Sequence, residues 1–497
     1  MAEDDKLSPE LLKLAGILLV GAVAVQLDAT IVSVAIDKLA RGFHAPLATI
    51  QWISTAYLLA LGIVIPLAGW SVDRFGPKRM WMTSVALFLL GSTLCGLAWS
   101  AGSLIAFRVV QGIGGGLLIP LMQAILAQAA GPGRLGRLMA AVAMPALVAP
   151  IIGPVIGGAI IDGLSWRWIF FLNVPVCALA LVLAWRGMGD RPQRADQRLD
   201  VLGLGLLSPG LAAVVYGLAQ VGRRGGFGDP AVLAPLALGA ALVVAFAVHA
   251  LRTREEPLID VRLFKVRSFT ASAGLMFLGG LSLFGAMLLL PLYYQQARGD
   301  GALQAGLALA PQGVGMMLAL LVAGRLADRI APRPIVLVGM ALATLGTIPY
   351  TQVGSGTSAL LLAAALVVRG AGLGAFLVPA MTVAYRDLSP EAIPRATSAA
   401  RVLQQVGASF GTAVLAVILQ HQAAGHAPAA AFGATFWWAV GFTALAAIPA
   451  LVLPSGPAPS PEPQPLQRER PKSRVMGGAL SPRTVREPCA RPQGCHT

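Results

Sequence analysis

The sequence is poor in charge, and its acids are scarcer than its bases. Only 12% of its 497 residues are charged, with 22 Asp and Glu against 37 Lys and Arg. A soluble domain carries about 25% charged residues, so this chain has too few to cover a surface that faces water. Hydrophobic residues make up 56% of it. The composition indicates an integral membrane protein.

Signatures of several other functional classes are also missing. The four cysteines include no Cys-x-x-Cys pair, so we expect neither a disulfide framework nor a metal site. No GxxxxGK[ST] phosphate loop occurs, which argues against ATP hydrolysis, and the five histidines form no cluster in the sequence. The acidic N-terminus, MAEDDKLSPELLK, does not resemble a cleavable signal peptide. We therefore expect no enzyme activity and no cofactor.

Long apolar runs fill most of the chain. A membrane-spanning helix needs about 20 apolar residues, and we predict an all-α protein with fourteen such spans. Their approximate limits are 13–36, 49–71, 80–99, 102–129, 138–161, 167–187, 201–220, 230–251, 269–296, 303–325, 335–352, 358–384, 396–420 and 432–454.

The positive charge follows the topology of these spans. The net charge is +15, and with the N-terminus inside, most Lys and Arg fall in cytoplasmic loops or in the tail. This bias predicts two cytoplasmic termini, and it explains the positive charge without a nucleic-acid partner. Residues 455–497 are rich in Pro and Arg, and we expect them to be a disordered cytoplasmic tail.

An internal repeat divides the chain. GWSVDRFGPKR at 69–79 matches GRLADRIAPRP at 324–334 with an offset of 255, and GGGLLIPLM at 114–122 matches LGAFLVPAM at 373–381 with an offset of 259. The repeat predicts a six-helix bundle over 1–188 and a second over 268–454. Spans 7 and 8, with their linkers, form an inserted pair over 189–267. Many secondary transporters are halved in this way.

The first repeated stretch resembles the signature loop of the major facilitator superfamily, between spans 2 and 3. The resemblance implies the major facilitator fold and a latch that opens and closes as the two halves rock. A plain positively charged loop is the alternative. The latch residues would be Gly69, Asp73, Arg74, Gly76, Lys78 and Arg79, with Gly324, Asp328 and Arg329 in the second copy.

Two further stretches resemble motifs of the same superfamily. RVVQGIGGG at 108–116 is similar to its span-4 motif, which implies that Arg108 takes part in proton coupling; an arginine that snorkels to the surface is the alternative. APIIGPVIGG at 149–158 is similar to the span-5 motif of exporters, here Gly153, Pro154, Gly157 and Gly158, although small residues also serve ordinary helix packing.

Four segments resemble hallmarks of the fourteen-span drug:proton antiporters: LDATIVSVAI (27–36), WRWIFFLNVP (166–175), RLDVLGLGLL (198–207) and LPLYYQQARG (290–299). The resemblance implies a multidrug efflux pump of the cytoplasmic membrane that works by alternating access, with the proton as coupling ion. An uptake symporter of the same fold and a non-transporting membrane sensor are the alternatives.

Asp28 is the only acid deep within a predicted span. A carboxylate there costs at least ~2.5 kcal/mol. At 1.5 Å per residue, Asp28 would lie roughly 12 Å and Arg108 about 9 Å from the outer ends of their spans. Burial favours a protonated carboxyl and a nearby arginine favours the ionised form. We therefore hypothesise that Asp28 carries the proton, tuned by Arg108 and flanked by Gln26 and Thr30. A static ion pair is the alternative.

The substrate site should be apolar with a few polar points. Arg369 lies near the middle of span 12, and the sequence places no acid deep in spans 9–14. Its partner would therefore be a backbone carbonyl, an amide side chain or an anionic ligand. A packed and solvated arginine without a ligand-binding role is the alternative. One deep acid favours neutral, zwitterionic or monocationic lipophilic substrates. We expect the protein to function as a monomer in contact with lipid. The sequence does not decide whether it needs a periplasmic adaptor protein. The cavity candidates are Gln26, Trp52, Tyr57, Gln123, Tyr293, Gln312, Arg369 and Gln404.

Overall fold

A computed structural model shows that the described part of the chain is helical and contains no β-strand. It describes residues 8–45, 47–130, 138–139, 141–142, 156–157, 160, 163–189, 198–224, 226–253, 257–300, 302–327, 330–354, 356–389 and 392–453. The tail predicted over 455–497 lies outside these residues, as do Gly153, Pro154, Gly158, Asp328 and Arg329.

Sixteen α-helices are numbered here in chain order along the described residues. They are α1 (Pro9–Phe43), α2 (Leu47–Val64), α3 (Leu67–Phe75), α4 (Pro77–Gly96), α5 (Ala101–Ala130), α6 (Trp168–Phe171), α7 (Asn173–Gly187), α8 (Val201–Arg224), α9 (Pro230–Arg252), α10 (Arg267–Leu292), α11 (Ala302–Ala327), α12 (Pro332–Thr347), α13 (Ala359–Arg386), α14 (Ile393–Ala423), α15 (Pro428–Leu445) and α16 (Ala447–Leu451). Short 3₁₀ or π turns cover Val261–Lys265, Tyr293–Ala297 and Ile348–Gln352.

Eleven helices of the described residues are long and apolar enough to cross a membrane, and a bent pair brings the number to twelve. Helix α4 is 20 residues long but is not one of these twelve. Most of the predicted span 138–161 lies outside the described residues. The structure therefore shows a polytopic all-helical protein without fixing the number of spans at fourteen.

The predicted second span is broken rather than continuous. Residues Trp52–Val64 and Leu67–Phe75 meet at an angle of 56°. Pro66 precedes the second piece, and a proline has no N–H to continue the helical hydrogen bonding. The bend redirects α3 toward the second half of the molecule, which it contacts through α14.

The two halves repeat one packing scheme. In the first half α5 packs against α2 and α4, and in the second α13 packs against α11 and α12. Glycines permit these contacts: a Cβ on Gly91 would come within 2.4 Å of the Gln111 nitrogen, and one on Gly346 within 2.4 Å of the Arg369 nitrogen. Gly91 and Gly346 are separated by 255 residues, so the structure supports the sequence repeat.

Helices α8 and α9, the predicted inserted pair, pack against each other, and α8 also contacts both halves, through α2 and α14. Its contacts to α2 include a hydrogen bond of 2.6 Å from the Ser208 hydroxyl to the carbonyl of Ile63. Trp52 stacks on Tyr216 with a ring separation of 5.9 Å. The insert is thus a packed part of the helical core.

Candidate functional site: a buried acid and arginine between helices of the first half

Asp28 and Arg108 form an ion pair in the interior of the first half. Nη1 of Arg108 lies 2.5 Å from Oδ2 of Asp28, and each side chain is only 1% exposed. Helix α1 runs to Phe43, beyond the predicted span end at residue 36. Asp28 therefore lies about 22 Å along the helix from its end.

Two amide side chains complete the coordination of the carboxylate. Oδ1 of Asp28 accepts hydrogen bonds from Nε2 of Gln111 at 2.9 Å and from Nδ2 of Asn173 at 3.0 Å. With Arg108, these groups bring donors from α5 and α7 to one carboxylate on α1. A carboxylate that accepts several hydrogen bonds is stabilised in its ionised form.

Arg108 is held by more than the acid. Its Nε donates to the carbonyl of Ile53 at 3.3 Å, and Nη1 also donates to Oε1 of Gln111 at 2.8 Å. The guanidinium carbon lies 3.8 Å from the centroid of the Tyr57 ring, a cation–π arrangement. Ile53 and Tyr57 are one turn apart on α2, so a single helix supports both contacts.

The glycines that follow Arg108 allow close packing of helices. A Cβ on Gly112 would meet the carbonyl oxygen of Tyr57 at 2.7 Å, and one on Gly114 would meet the nitrogen of Phe88 at 2.4 Å. These glycines let the backbones of α2 and α4 approach α5, and this close packing positions the ion pair.

Sequence reasoning missed Gln111 and Asn173. Gln111 is three residues after Arg108, a spacing that puts both on one helix face, so it could have been found. Asn173 lies within WRWIFFLNVP, which was noted only as a family hallmark. The predicted neighbour Thr30 instead donates its hydroxyl within α1, to the carbonyl of Leu27 at 3.0 Å, and Gln26 is half-buried.

The second half buries Arg369, 2% exposed, and none of its hydrogen-bond partners in the described part of the chain is an acid. Nη1 donates to Oε1 of Gln312 at 2.5 Å, and Nε donates to the hydroxyl of Thr347 at 3.2 Å. Nη2 lies 3.4 Å from the carbonyl oxygen of Ser282. Of the partners left open by the sequence, the structure shows an amide and a carbonyl, together with a hydroxyl.

The predicted latch contains contacts between the two halves. Nη2 of Arg395, in the first turn of α14, lies 3.7 Å from Oδ2 of Asp73. The backbone nitrogen of Gly69 donates to the Ser398 hydroxyl at 3.2 Å. A Cβ on Gly69 would lie 3.1 Å from the Arg395 nitrogen, so glycine permits the close approach. Asp73 is thus near the N-terminus of α14 and a basic residue, and both belong to the opposite half.

The turn between α3 and α4, within the predicted latch, depends on Gly76. Its φ of 82° lies in the left-handed region, where glycine is favoured. Pro77 then starts α4. Arg74 and Lys78 are half-buried beside this turn, and Arg79 is exposed. In the second copy, Gly324 lies in α11 and its partners Asp328 and Arg329 are outside the described residues.

One residue of the predicted exporter motif lies within the described part. A Cβ on Gly157 would come within 3.2 Å of Cγ2 of Ile31 and within 3.4 Å of its carbonyl oxygen. The glycine therefore allows close contact with α1, three residues from Asp28. This contact places Gly157 beside the helix that carries the buried acid.

The predicted cavity residues occupy different environments. Trp52 contacts α8, and Tyr57 lies beneath Arg108. Nε2 of Gln123 lies 3.9 Å from the sulfur of Met381 in the opposite half, and Gln404 accepts a hydrogen bond from Arg401. Tyr293 is fully buried in an aromatic cluster of the second half. The structure therefore does not bring these candidates together in one site.

Comparison with known proteins identifies the family. The chain matches the Major Facilitator Superfamily over residues 18–412 and again over 275–486. It is 44% identical over 421 residues to a "Multidrug resistance protein B homolog" of Mycobacterium tuberculosis, covering 84% of this chain and 78% of that protein. It is 32% identical over 390 residues to "Lincomycin resistance protein LmrB" of Listeria innocua, covering 78% and 82%.

Solved structures show the same fold at low identity. The human organic anion transporter MFSD10 (TETRAN) gives a TM-score of 0.61 at 17% identity, covering 89% of this chain and 100% of that one. The proton:xylose symporter XylE gives a TM-score of 0.62 at 15% identity, covering 88% and 94%. The resemblance seen in the sequence is therefore confirmed: the chain belongs to the major facilitator superfamily.

Proposed function

We propose that this protein is a proton-coupled antiporter that exports lipophilic drugs or toxic metabolites across the cytoplasmic membrane. The observation that carries the proposal is the buried pair of Asp28 and Arg108. A buried carboxylate that pairs with an arginine in one state and not in the other can bind a proton in one state and release it in the other. Relatives that are named for multidrug and lincomycin resistance support drugs as the substrate class.

In this mechanism the ionised carboxylate of Asp28 binds Arg108, and a proton that neutralises Asp28 releases the arginine. Arg108 touches α2 through Ile53 and Tyr57. A change at Asp28 therefore acts on the helix that continues, past its bend, into the latch helix α3. Proton binding is coupled to transport only if the contacts between the two halves differ between the state with the Asp28–Arg108 pair formed and the state with it broken.

The latch supports alternating access. Asp73 with Arg395, Gly69 with Ser398, and Gln123 with Met381 join the halves on one side of the protein. We propose that this side is cytoplasmic and that these contacts break when the transporter opens inward. The proposal includes fourteen spans, with six-helix bundles over 1–188 and 268–454 and an inserted pair over 189–267. Both termini and the tail, 455–497, would then lie in the cytoplasm.

Transport in inside-out membrane vesicles tests this function. We expect a fluorescent lipophilic probe to accumulate inside vesicles that hold the protein when the lumen is acidified, and a protonophore to abolish the accumulation. Probe loss from preloaded vesicles would instead indicate an uptake symporter, and no protein-dependent flux would favour a sensor. A drug-susceptibility panel in a strain without its own efflux pumps would then define substrates and show whether the protein acts without a periplasmic adaptor.

A further inference from the structure

We propose that Asn173 and Gln111 reserve Oδ1 of Asp28 for amide donors, so that a proton and Arg108 compete for Oδ2 alone. The inference rests on the proposed role of Asp28 in proton coupling. It assigns Asn173 as a positioning residue, which decides where on the carboxylate the proton binds.

The orientation of the Asn173 amide is fixed by a chain of hydrogen bonds. The Ser92 hydroxyl donates its only proton to the carbonyl of Phe170 at 2.9 Å. Its oxygen can then only accept from Asn173, at 2.9 Å. The same amide nitrogen donates its second proton to Oδ1 of Asp28 at 3.0 Å. A flipped amide would direct its oxygen at two acceptors, which is unfavourable.

Gln111 is oriented in a similar way. Its Oε1 accepts from Nη1 of Arg108 at 2.8 Å, and the thiol of Cys95 lies 3.6 Å from the same oxygen. The amide nitrogen must therefore face Oδ1 of Asp28, which lies 2.9 Å away. Gln111 keeps this orientation as long as Arg108 stays in place.

The two oxygens of Asp28 consequently differ. Oδ1 receives two N–H donors, which occupy its lone pairs and leave no site for a proton. Oδ2 faces Nη1 of Arg108 at 2.5 Å. The second lone pair of Oδ2 can take a proton, which neutralises the carboxyl and removes its charge attraction for Arg108, so that the arginine can withdraw. The step takes up one proton and changes the carboxyl from −1 to neutral. Of the hydrogen bonds to the carboxyl only the one from Arg108 breaks, and Arg108 also leaves Oε1 of Gln111.

The surroundings of the acid are otherwise apolar or weakly acidic. Arg108 is the charged group that faces Asp28 among the described residues, with Tyr57 on α2, Cys95 on α4 and Cys177 on α7 as the other titratable neighbours. Since these three are neutral in the physiological range, Arg108 and the two amides decide the occupancy of the carboxylate.

The test is a pH titration of Asp28 in the purified full-length protein, monitored by infrared difference spectroscopy. The C=O stretching band of the protonated carboxylic acid is assigned to Asp28 if the band is absent from the spectrum of Asp28→Asn. We expect Asn173→Leu to raise the titration midpoint by about one pH unit, since a hydrogen bond to the charged carboxylate is lost. Gln111→Met should also raise the titration midpoint, and this variant replaces Asn173→Leu in the test if the latter does not fold.

A matched control separates this role from simple packing. Thr93 neighbours Ser92 and donates its hydroxyl to the carbonyl of Leu89 within its own helix, so Thr93→Ala should leave the midpoint unchanged. Ser92→Ala should raise it, by less than Asn173→Leu. An unchanged midpoint in both Asn173→Leu and Gln111→Met would overturn the inference. Because the spectrum needs no drug, this outcome is distinct from a failure to transport, which would refute the proposed function instead.

Discussion

Among the described residues each half of this transporter fully buries one arginine, and the two arginines have different partners. Arg108 in the first half meets an acid, whereas the hydrogen-bond partners of Arg369 within the described part of the second half are neutral groups such as the Gln312 amide. A carboxylate can change its charge by binding a proton, and an amide cannot. We therefore propose that proton sensitivity lies in the first half and that the second half holds a fixed cation.

The two arginines also occupy different positions in the repeat. Gly91 faces the nitrogen of Gln111, and Gly346, 255 residues later, faces the nitrogen of Arg369. Arg369 thus corresponds to Gln111 at an offset of 258, one less than the offset of 259 read from the sequence of this helix, and Leu366, one turn earlier, corresponds to Arg108. Within its described residues the second half has no ion pair at the equivalent place and carries its cation one turn further along the helix.

The largest expected difference is in stability, between variants in which each buried arginine is replaced by the residue at the equivalent position of the other half. Arg108→Leu installs the residue found in the second half and leaves Asp28 buried without its cation. Removing one partner of a buried pair costs about 3–5 kcal/mol. Arg369→Gln installs the residue found in the first half and removes hydrogen bonds to neutral acceptors, at about 1–2 kcal/mol.

Thermal denaturation of the detergent-solubilised protein measures this difference. Since the two variants are compared with the same wild type, the ranking is informative even where unfolding is irreversible. A larger loss of stability in Arg369→Gln than in Arg108→Leu would contradict the proposed difference between the halves.

Gln312→Glu gives the second half the acid that it lacks. The substitution preserves shape and places a carboxylate against Arg369, so we expect a folded protein with an added ion pair. The glutamate lacks the contacts that link Asp28 to α2 and the latch. The double variant Asp28→Asn/Gln312→Glu should therefore transport drug against a proton gradient no better than Asp28→Asn. Restored transport in vesicles would show that any buried acid suffices.

The latch extends the comparison to the point where the halves meet. Asp73→Asn removes an ion pair between side chains that are 11% and 12% exposed. A partly exposed pair contributes up to about 1 kcal/mol, so the closed state should lose roughly two- to fivefold in population. Hydrogen exchange in the first turn of α14 should rise accordingly. Arg79→Gln, at an exposed position, is the control and should leave this exchange unchanged.

The smallest effect is expected at Tyr57. Its hydroxyl has no hydrogen-bond partner within the described residues, so Tyr57→Phe should change stability by less than about 0.5 kcal/mol and keep transport. Tyr57→Leu removes the aromatic face beneath Arg108 and should cost about 2 kcal/mol. Equal effects of the two variants on thermal stability would refute the role of the ring as a support for the arginine.

Much of the fold followed from the pattern of apolar runs and from the repeat. Hydropathy located the helices because lipid selects apolar surface along the whole of a span. It did not reveal the bend after Val64, since a proline within an apolar run leaves the hydropathy high. The span predicted over 13–36 is also shorter than the helix that contains it, because α1 continues through residues 37–43, which are more polar than the span.

The site was only partly accessible to sequence reasoning. The lone acid of the spans and an arginine at similar depth pointed to Asp28 and Arg108. Asn173 could not be placed against Asp28, because the face that α7 turns toward α1 depends on packing between distant segments. Trp52 and Tyr293 were selected by residue type alone, and the structure shows them packed against other aromatic rings.

Transport by Asp28→Asn in proteoliposomes tests the central claim most directly. The variant keeps the shape of the side chain and removes the charge that binds protons and Arg108. We predict that it still exchanges drug for drug across the membrane without a gradient, but no longer accumulates drug when a pH gradient is applied. Gradient-driven accumulation at the wild-type level would contradict the assignment of Asp28 as the proton site.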